Sequence, residues 1–186
     1  LQFAAPPRYA NGYSIDVAGN APRVVVRTGR IRGSVDAVRA AYSLDGASTW
    51  HAFASEPGGK GEGTVAVAAD GRSALWFPLD AGNAYVTRDW GKHWQAATGL
   101  PKAARVLADR VDAQRFYAQD ITTGALFASR DGGLHFSAID GAFGDAVKQQ
   151  YQAPRRPTNA VVYAVPGQAG ELVAVSARGG VIHGRD

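Results

Sequence analysis

The sequence predicts an all-β chain, folded as a partial or small β-propeller of about four four-stranded blades. Three observations lead to this prediction. An eight-residue motif recurs at the spacing of propeller blades, short β-rich runs separated by turn residues fill the intervals, and no segment sustains a helical apolar period over three turns. The 23 glycines also suit a chain with many turns.

The motif reads Ser or Thr, any residue, Asp, any residue, a small residue, any residue, Thr or His, and an aromatic residue. Its three copies span residues 43–50, 87–94 and 129–136. Their aspartates, Asp45, Asp89 and Asp131, recur at intervals of 44 and 42 residues. A four-stranded blade repeats at roughly 40–45 residues. This motif is the Asp-box, in which the carboxylate accepts backbone N–H bonds of its own turn, so we interpret the three aspartates as structural and not catalytic.

The intervening runs divide a single propeller domain or fragment into four blades. We place the blades at about residues 1–55, 56–98, 99–143 and 144–186. Strand candidates in the first two blades are residues 13–17, 23–27, 40–43, 64–68, 74–77 and 83–87. Those in the last two are residues 105–108, 115–118, 125–129, 161–165 and 171–175.

The fourth blade departs from the pattern. Residues 144–160 are expected to form an irregular polar insert. The sequence ends at Asp186, where another Asp-box would begin, so this motif is either truncated or completed by a strand from elsewhere. The segment Gln2-Phe3-Ala4-Ala5 is a candidate for such a ring-closing strand.

Composition excludes several classes of function. The net charge is only +4 and Arg155-Arg156 is the one adjacent basic pair, so nucleic-acid binding is not expected. No stretch approaches the ~20 apolar residues of a membrane span. The absence of cysteine excludes disulfides and thiol chemistry, and the histidines and acids lack metal-ligand spacing. We therefore predict neither a metal nor a cofactor.

Segments around the Asp-boxes carry a more specific signal. They are residues 13–20, 25–29, 63–71, 75–78, 99–101, 106–111, 115–120, 165–167 and 170–172. These segments resemble the C-terminal propeller of the family-74 glycoside hydrolases, the xyloglucanases, and the resemblance covers nearly the whole chain apart from residues 144–160. It implies a fragment of a secreted or periplasmic enzyme of bacterial type that hydrolyses xyloglucan or β-1,4-glucan, as cellulases do. It also implies an N-terminal propeller lobe as a partner.

The resemblance does not supply a catalytic residue. In that family the glucan lies between two propellers, and hydrolysis is inverting, with two carboxylates roughly 6.5–9.5 Å apart. The Gly-Asp-x-Gly-Gly-Phe-like segment that carries the family's acid does not occur in this sequence, and the N-terminal propeller that carries the base is not matched. We therefore assign no catalytic residue and expect the chain to be inactive alone.

Weak sugar binding is the activity that we expect to remain, because glucan rings stack on exposed aromatic faces. Trp76, Trp90 and Tyr117 are predicted to contact a β-glucan or xyloglucan oligosaccharide, with burial between blades as the alternative for each. Trp90 lies inside an Asp-box turn, where a side chain is expected to face solvent. Two other interpretations of the chain stay open: a non-catalytic propeller module that binds glycan or protein, and a propeller that hydrolyses glycans with a rearranged site.

Overall fold

The computed structural model describes residues 14–29, 40–57, 63–78, 81–151, 160–176 and 180–186. Four antiparallel sheets form in this part of the chain, each from consecutive strands, and each sheet is one blade. The prediction of an all-β, partial propeller is confirmed. The segment proposed to close the ring, residues 2–5, lies outside the described residues.

The first two blades have four strands each. Blade 1 comprises β1 (Ser14–Val17), β2 (Val25–Thr28), β3 (Ala41–Ser43) and β4 (His51–Ala52). Blade 2 comprises β5 (Gly63–Val67), β6 (Ala74–Pro78), β7 (Tyr85–Thr87) and β8 (Gln95–Ala96).

The third blade again has four strands, whereas three strands are described in the fourth. Blade 3 comprises β9 (Ala104–Ala108), β10 (Phe116–Asp120), β11 (Leu126–Ser129) and β12 (Ser137–Ala138). Blade 4 comprises β13 (Val161–Ala164), β14 (Glu171–Val175) and β15 (Val181–Arg185). Strands β13 and β14 are predicted from the sequence, whereas β15 is not.

The first strand of each blade is the innermost. β1 lies against β5, β5 against β9, and β9 against β13, whereas the short fourth strands β4, β8 and β12 are exposed. Each Asp-box turn joins the third strand of a blade to the fourth. The three boxes therefore lie at the same end of their blades.

A hydrophobic core fills each boundary between neighbouring blades. Successive residues of a strand point to opposite faces, so one strand serves two cores. In β6, Trp76 faces blade 1 with Val26 and Phe53, while Leu75 faces blade 3 with Phe116. The first two strands of the middle blades are accordingly mostly apolar, as in strands covered on both faces.

The insert that was expected to be irregular begins in an α-helix, α1 (Ala142–Tyr151). Phe143, Val147 and Tyr151 are spaced by four residues and share one helix face, which packs on the core between blades 3 and 4. The charges of Asp145 in the first turn and Lys148 in the last turn interact favourably with the helix dipole. A helix of this length is marginal on its own, so tertiary packing stabilises it, and the expectation was wrong for this part of the insert.

The described part of the chain contains no helix with the length and apolar character that a membrane crossing requires.

Candidate functional site

The three Asp-box turns share one hydrogen-bond arrangement. The N–H groups of Thr49, His93 and His135 donate to the Oδ1 atoms of Asp45, Asp89 and Asp131 at 2.8, 2.9 and 3.0 Å. The hydroxyl at the end of the third strand, from Ser43, Thr87 or Ser129, donates to the same oxygen. Each carboxylate thus closes the turn in which it stands.

These bonds keep the carboxylates ionised. The backbone N–H of Thr49 and then its hydroxyl lower the pKa of Asp45 to about 2. The N–H and the ring of His93 lower the pKa of Asp89 to about 2. Burial acts to raise the pKa of Asp131, but hydrogen bonds from the His135 ring and N–H outweigh it and hold that pKa below its usual range. A carboxylate in this state cannot act as a general acid at neutral pH.

Two of the three predicted sugar-contact residues lie in one aromatic cluster between blades 1 and 2. Trp76 is 0% exposed in the middle of β6, with its ring centroid 6.4 Å from that of Phe53 and 5.8 Å from that of Trp94. Trp90 is half-buried and stacks on Tyr42, with ring centroids 4.3 Å apart. From its place in the turn we expected Trp90 to face solvent. It does not do so freely, because the box turn of blade 2 packs on blade 1.

Trp90 has an unusual backbone conformation. Its φ of 58° lies in the left-handed region, where the corresponding positions of the other two boxes hold Gly46 and Gly132. A bulky residue there costs about 1–3 kcal/mol and persists only when its surroundings favour it. The N–H of Ala54 donates to the Trp90 carbonyl at 2.9 Å, and the stacking on Tyr42 fixes the ring. A partly exposed tryptophan thus occupies a position that suits glycine.

Tyr117, the third predicted contact residue, lies elsewhere. It is 1% exposed in β10, facing blade 4. Its hydroxyl donates to Asp109 Oδ2 at 3.1 Å and lies 3.5 Å from Asp186 Oδ2. Burial, followed by the charges of Asp109 and Asp186, raises the pKa of Tyr117 well above its ordinary value. Tyr117 thus takes part in a buried polar network between blades 3 and 4.

A small cavity lies among the innermost strands and contains the one acid whose pKa is shifted upward among the described residues. Its lining includes Ser14, Asp16, Arg105 and Arg110. Asp16 Oδ1 accepts a 2.8 Å bond from Arg110 Nη2, and Oδ2 accepts the N–H of Val67 at 2.8 Å. Burial raises the pKa of Asp16, opposed by the positive charge of Arg110.

This cavity does not resemble the site of an inverting hydrolase, which needs two carboxyl groups roughly 6.5–9.5 Å apart. Asp16 is the only acid in the described lining. In the described ranges as a whole, every acidic side chain accepts a hydrogen bond or forms an ion pair with the protein itself. The arrangement supports structural roles for these acids.

Sequence reasoning missed the partners of the predicted residues. Tyr42 directly precedes the first Asp-box, so its proximity to a neighbouring box could have been proposed from the repeat. The Asp16–Arg110 pair joins blade 1 to blade 3 and leaves no local signal in the sequence, because 94 residues separate the partners.

Comparison with known proteins gave no matching family model. Among curated relatives, a xyloglucanase from Paenibacillus is 36% identical over 171 residues, covering 89% of this chain and 15% of the relative. A xyloglucanase from Acetivibrio thermocellus is 33% identical over 177 residues, covering 94% of this chain and 19% of the relative. Among solved structures, the family-74 xyloglucanase from Xanthomonas campestris matches the whole chain and 26% of its own, with 40% identity and a TM-score of 0.80.

The chain therefore spans between 15% and 26% of the length of these relatives. The matches cover nearly all of this chain's own length.

Proposed function

From its homology to a propeller portion of the family-74 xyloglucanases, we propose that the chain is part of a xyloglucan-hydrolysing glycoside hydrolase in which it supports substrate without providing the catalytic carboxylates. The observation that carries this proposal is the alignment of nearly the whole chain, in sequence and in structure, with such enzymes. The engagement of the described acids in turns and ion pairs supports the non-catalytic role.

Within this proposal, Trp90 is the residue that contacts sugar. Its ring is partly exposed, is held by Tyr42, and stands at a backbone position that favours glycine, and these features support a role for the ring beyond the turn itself. Trp76 and Tyr117 stay predictions as sugar contacts, and either ring would have to leave the core to present a face. A single ring platform supports only weak affinity, in the millimolar range, or about −4 kcal/mol.

The proposal extends to the surroundings of the chain. An opposing N-terminal propeller lobe would cover the sugar and contribute to the catalytic carboxylates that we do not assign to this chain.

Because the proposed substrate is an extracellular polysaccharide, we propose that the protein is exported, to the periplasm or the medium of a bacterial cell. Fractionation of the producing cells, with antibody detection of the chain, tests this location.

Two measurements test the function. The isolated chain is incubated with xyloglucan and with cellulose, and reducing ends are quantified; we expect no release above a boiled control. Turnover that disappears in an Asp16→Asn variant would instead show a catalytic site in the small cavity among the innermost strands. Titration with xyloglucan heptasaccharide, followed by tryptophan fluorescence, tests binding separately. Binding that is insensitive to salt is expected, because the ligand is neutral.

A further inference from the structure

The innermost strand of each blade has an inner edge that pairs with no further strand of its own sheet. Along an antiparallel pair, residues that bond to the neighbouring strand alternate with residues whose N–H and C=O groups point the other way. In β5, β9 and β13 the residues that point their N–H groups to the inner edge are Val65, Val67, Val106, Ala108, Val162 and Ala164. A buried N–H group without an acceptor is costly, so each of these groups calls for a partner.

Between blades 1 and 2 and between blades 2 and 3, side chains of the preceding blade supply the partners. Three such bonds form: Val65 N–H to Ser14 Oγ at 3.2 Å, Val67 N–H to Asp16 Oδ2 at 2.8 Å, and Val106 N–H to Thr64 Oγ1 at 3.0 Å. The N–H group of Ala108 is the exception, because Ala66 takes the place of Asp16 there. An oxygen from the preceding innermost strand is thus the usual acceptor at this edge.

The boundary between blades 3 and 4 breaks this arrangement. When the blades are aligned on their strand registers, Arg105 stands in the place of Ser14 and Thr64. Leu107 stands in the place of Asp16. Neither an arginine nor a leucine side chain can accept a hydrogen bond. Blade 3 therefore offers blade 4 no side-chain acceptor at these two positions.

The N–H groups left facing this boundary belong to Val162 and Ala164. Val165 donates to the Glu171 carbonyl at 2.9 Å. Because bonded positions alternate, the N–H groups of Val162 and Ala164 point away from β14. Both residues are buried and line the small cavity among the innermost strands, whose volume is about 200 Å³. Within the part of the chain that the structure describes, neither N–H group has an acceptor.

Arg105 adds a positive charge to the same wall of the cavity. Its guanidinium carbon lies 5.6 Å from the centroid of the Tyr163 ring, and the guanidinium forms no hydrogen bond or ion pair with the described residues. The other cation of the lining, Arg110, is paired with Asp16 at 2.8 Å. The wall between blades 3 and 4 thus combines an unpaired cation with two backbone donors.

We propose that this wall binds a small carboxylate, held by the Arg105 guanidinium and the N–H groups of Val162 and Ala164. Backbone N–H groups at a sheet edge bind anions, and a bond between guanidinium and carboxylate is charge-assisted. A cavity of about 200 Å³ admits an acid of a few carbon atoms, whereas sites for larger ligands take roughly 300–1,000 Å³. The site is therefore separate from the proposed sugar contact at Trp90.

The site is built entirely inside the chain. Arg105 lies on β9, and Val162 and Ala164 lie on β13, and these two strands contact each other across the boundary between blades 3 and 4. The donors therefore come from one copy, and no surface at either end of the chain is needed to form the wall.

Titration of the isotope-labelled full chain with sodium acetate, followed by NMR spectra of the backbone amides, tests the site. Sodium chloride at the same ionic strength is the reference. We expect the amide signals of Val162 and Ala164 to shift saturably with acetate and not with chloride. Acetamide has a similar size but no charge, so it should bind at least about tenfold more weakly.

Arg105→Thr is the sharpest variant, because Thr64 holds the equivalent position in blade 2 and accepts the inner-edge N–H there. The new hydroxyl can accept the N–H of Val162, and the charge is lost, so acetate should bind at least about tenfold more weakly while the chain stays folded. Arg105→Gln removes the charge but keeps a long side chain, and it should show the same loss. Arg72→Thr is the matched control: Arg72 is exposed in a turn of blade 2, outside the cavity, and this variant should bind as the parent does.

Three results would overturn the proposal. The first is a parent chain whose Val162 and Ala164 signals do not shift saturably with acetate, which would mean that these donors bond to water. The second is an equal shift with chloride, which would indicate an effect of ionic strength. The third is acetate binding that is unchanged in both Arg105 variants, or equally weakened in Arg72→Thr, because either outcome would remove Arg105 from a specific role.

Discussion

Trp90 of blade 2 stacks on Tyr42 of blade 1, with ring planes only 12° from parallel, although the backbone of Trp90 has the positive φ of a glycine position. The stacking contributes about 0.5–1.5 kcal/mol beyond the buried area, which is of the same order as the conformational cost at that turn. The buried part of the ring, which packs on the core between blades 1 and 2, adds hydrophobic stabilisation to the stacking. The exposed part of the ring is the part that the proposed sugar contact would use.

Replacement of Trp90 by glycine separates the two roles. Glycine adopts the turn conformation without strain but lacks the ring that packs on Tyr42 and Phe53, so Trp90→Gly should lower the melting temperature by about 2–6 °C and leave the chain folded. The same variant should no longer bind xyloglucan heptasaccharide. Binding is measured by chemical-shift changes in NMR spectra, because the substitution itself alters the tryptophan fluorescence. Trp94→Phe is the control, since Trp94 is a partly buried tryptophan on the same core that is not predicted to contact sugar. Unchanged binding in Trp90→Gly would remove this residue from the proposed site.

Asp109 is expected to be a strong determinant of stability. It is fully buried, and it accepts the N–H of Val111 at 2.7 Å, the N–H of Gly170 at 2.8 Å and the hydroxyl of Tyr117 at 3.1 Å. Asp109→Ala leaves buried donors on blades 3 and 4 without an acceptor, so the free energy of unfolding should fall by about 3 kcal/mol. Urea denaturation followed by circular dichroism measures this loss.

Asp70 offers the matched control for that experiment. It lies in an exposed turn of blade 2 and accepts the N–H of Arg72 at 3.0 Å. Water can replace the carboxylate there, so Asp70→Ala should change the free energy of unfolding by less than about 0.5 kcal/mol. Equal effects of the two substitutions would contradict the role assigned to Asp109.

The repeat made much of the fold predictable, because each Asp-box fixes the end of a third strand and the start of a fourth. Spacing could not reveal what joins separate blades. The burial of Trp76 was such a case: its ring contacts Phe53, which follows β4, and Trp94, which precedes β8. Helix α1 was missed because its apolar face spans only ten residues of a polar segment and is stabilised by packing on the core between blades 3 and 4.

Acid should destabilise the Asp-box turns. The folded-state pKa values of Asp45 and Asp89 are about 2, below their ordinary value of 3.8. A depressed folded-state pKa contributes stability that is present above the unfolded-state value and is lost as pH falls through the folded-state value. The urea midpoint should therefore be flat above about pH 5 and fall steadily toward about pH 2.

The variant Asp89→Asn isolates one turn from this effect. The amide cannot ionise, so the variant should begin with a lower midpoint at neutral pH and lose less of it on acidification than the parent does. Asp140→Asn serves as its control, since Asp140 is a largely exposed acid whose only recorded partner within the described ranges is Lys148 at 4.0 Å. Identical pH profiles for Asp89→Asn and the parent would show that the box carboxylate does not control acid stability.

The Arg110–Asp16 pair should tie blade 1 to blade 3 in a pH-dependent way. Arg110 donates to Asp16 Oδ1 at 2.8 Å and to the Val17 carbonyl at 2.7 Å. Arg110→Met removes the cation and leaves a buried carboxylate, which should cost about 3 kcal/mol at neutral pH. Burial already raises the pKa of Asp16 and Arg110 opposes that rise, so the variant raises it further.

The sign of the pH effect follows from that direction. A raised folded-state pKa of an acid contributes stability below the unfolded-state value of 3.8 and loses it as pH rises through the folded-state value. The deficit of Arg110→Met, measured by urea denaturation, should therefore shrink between about pH 7 and pH 4, where Asp16 can protonate. Adding Asp16→Asn to the variant removes the buried charge and should restore much of the loss at neutral pH. A deficit that is the same at both pH values, and in the double variant, would mean that Arg110 acts through packing alone.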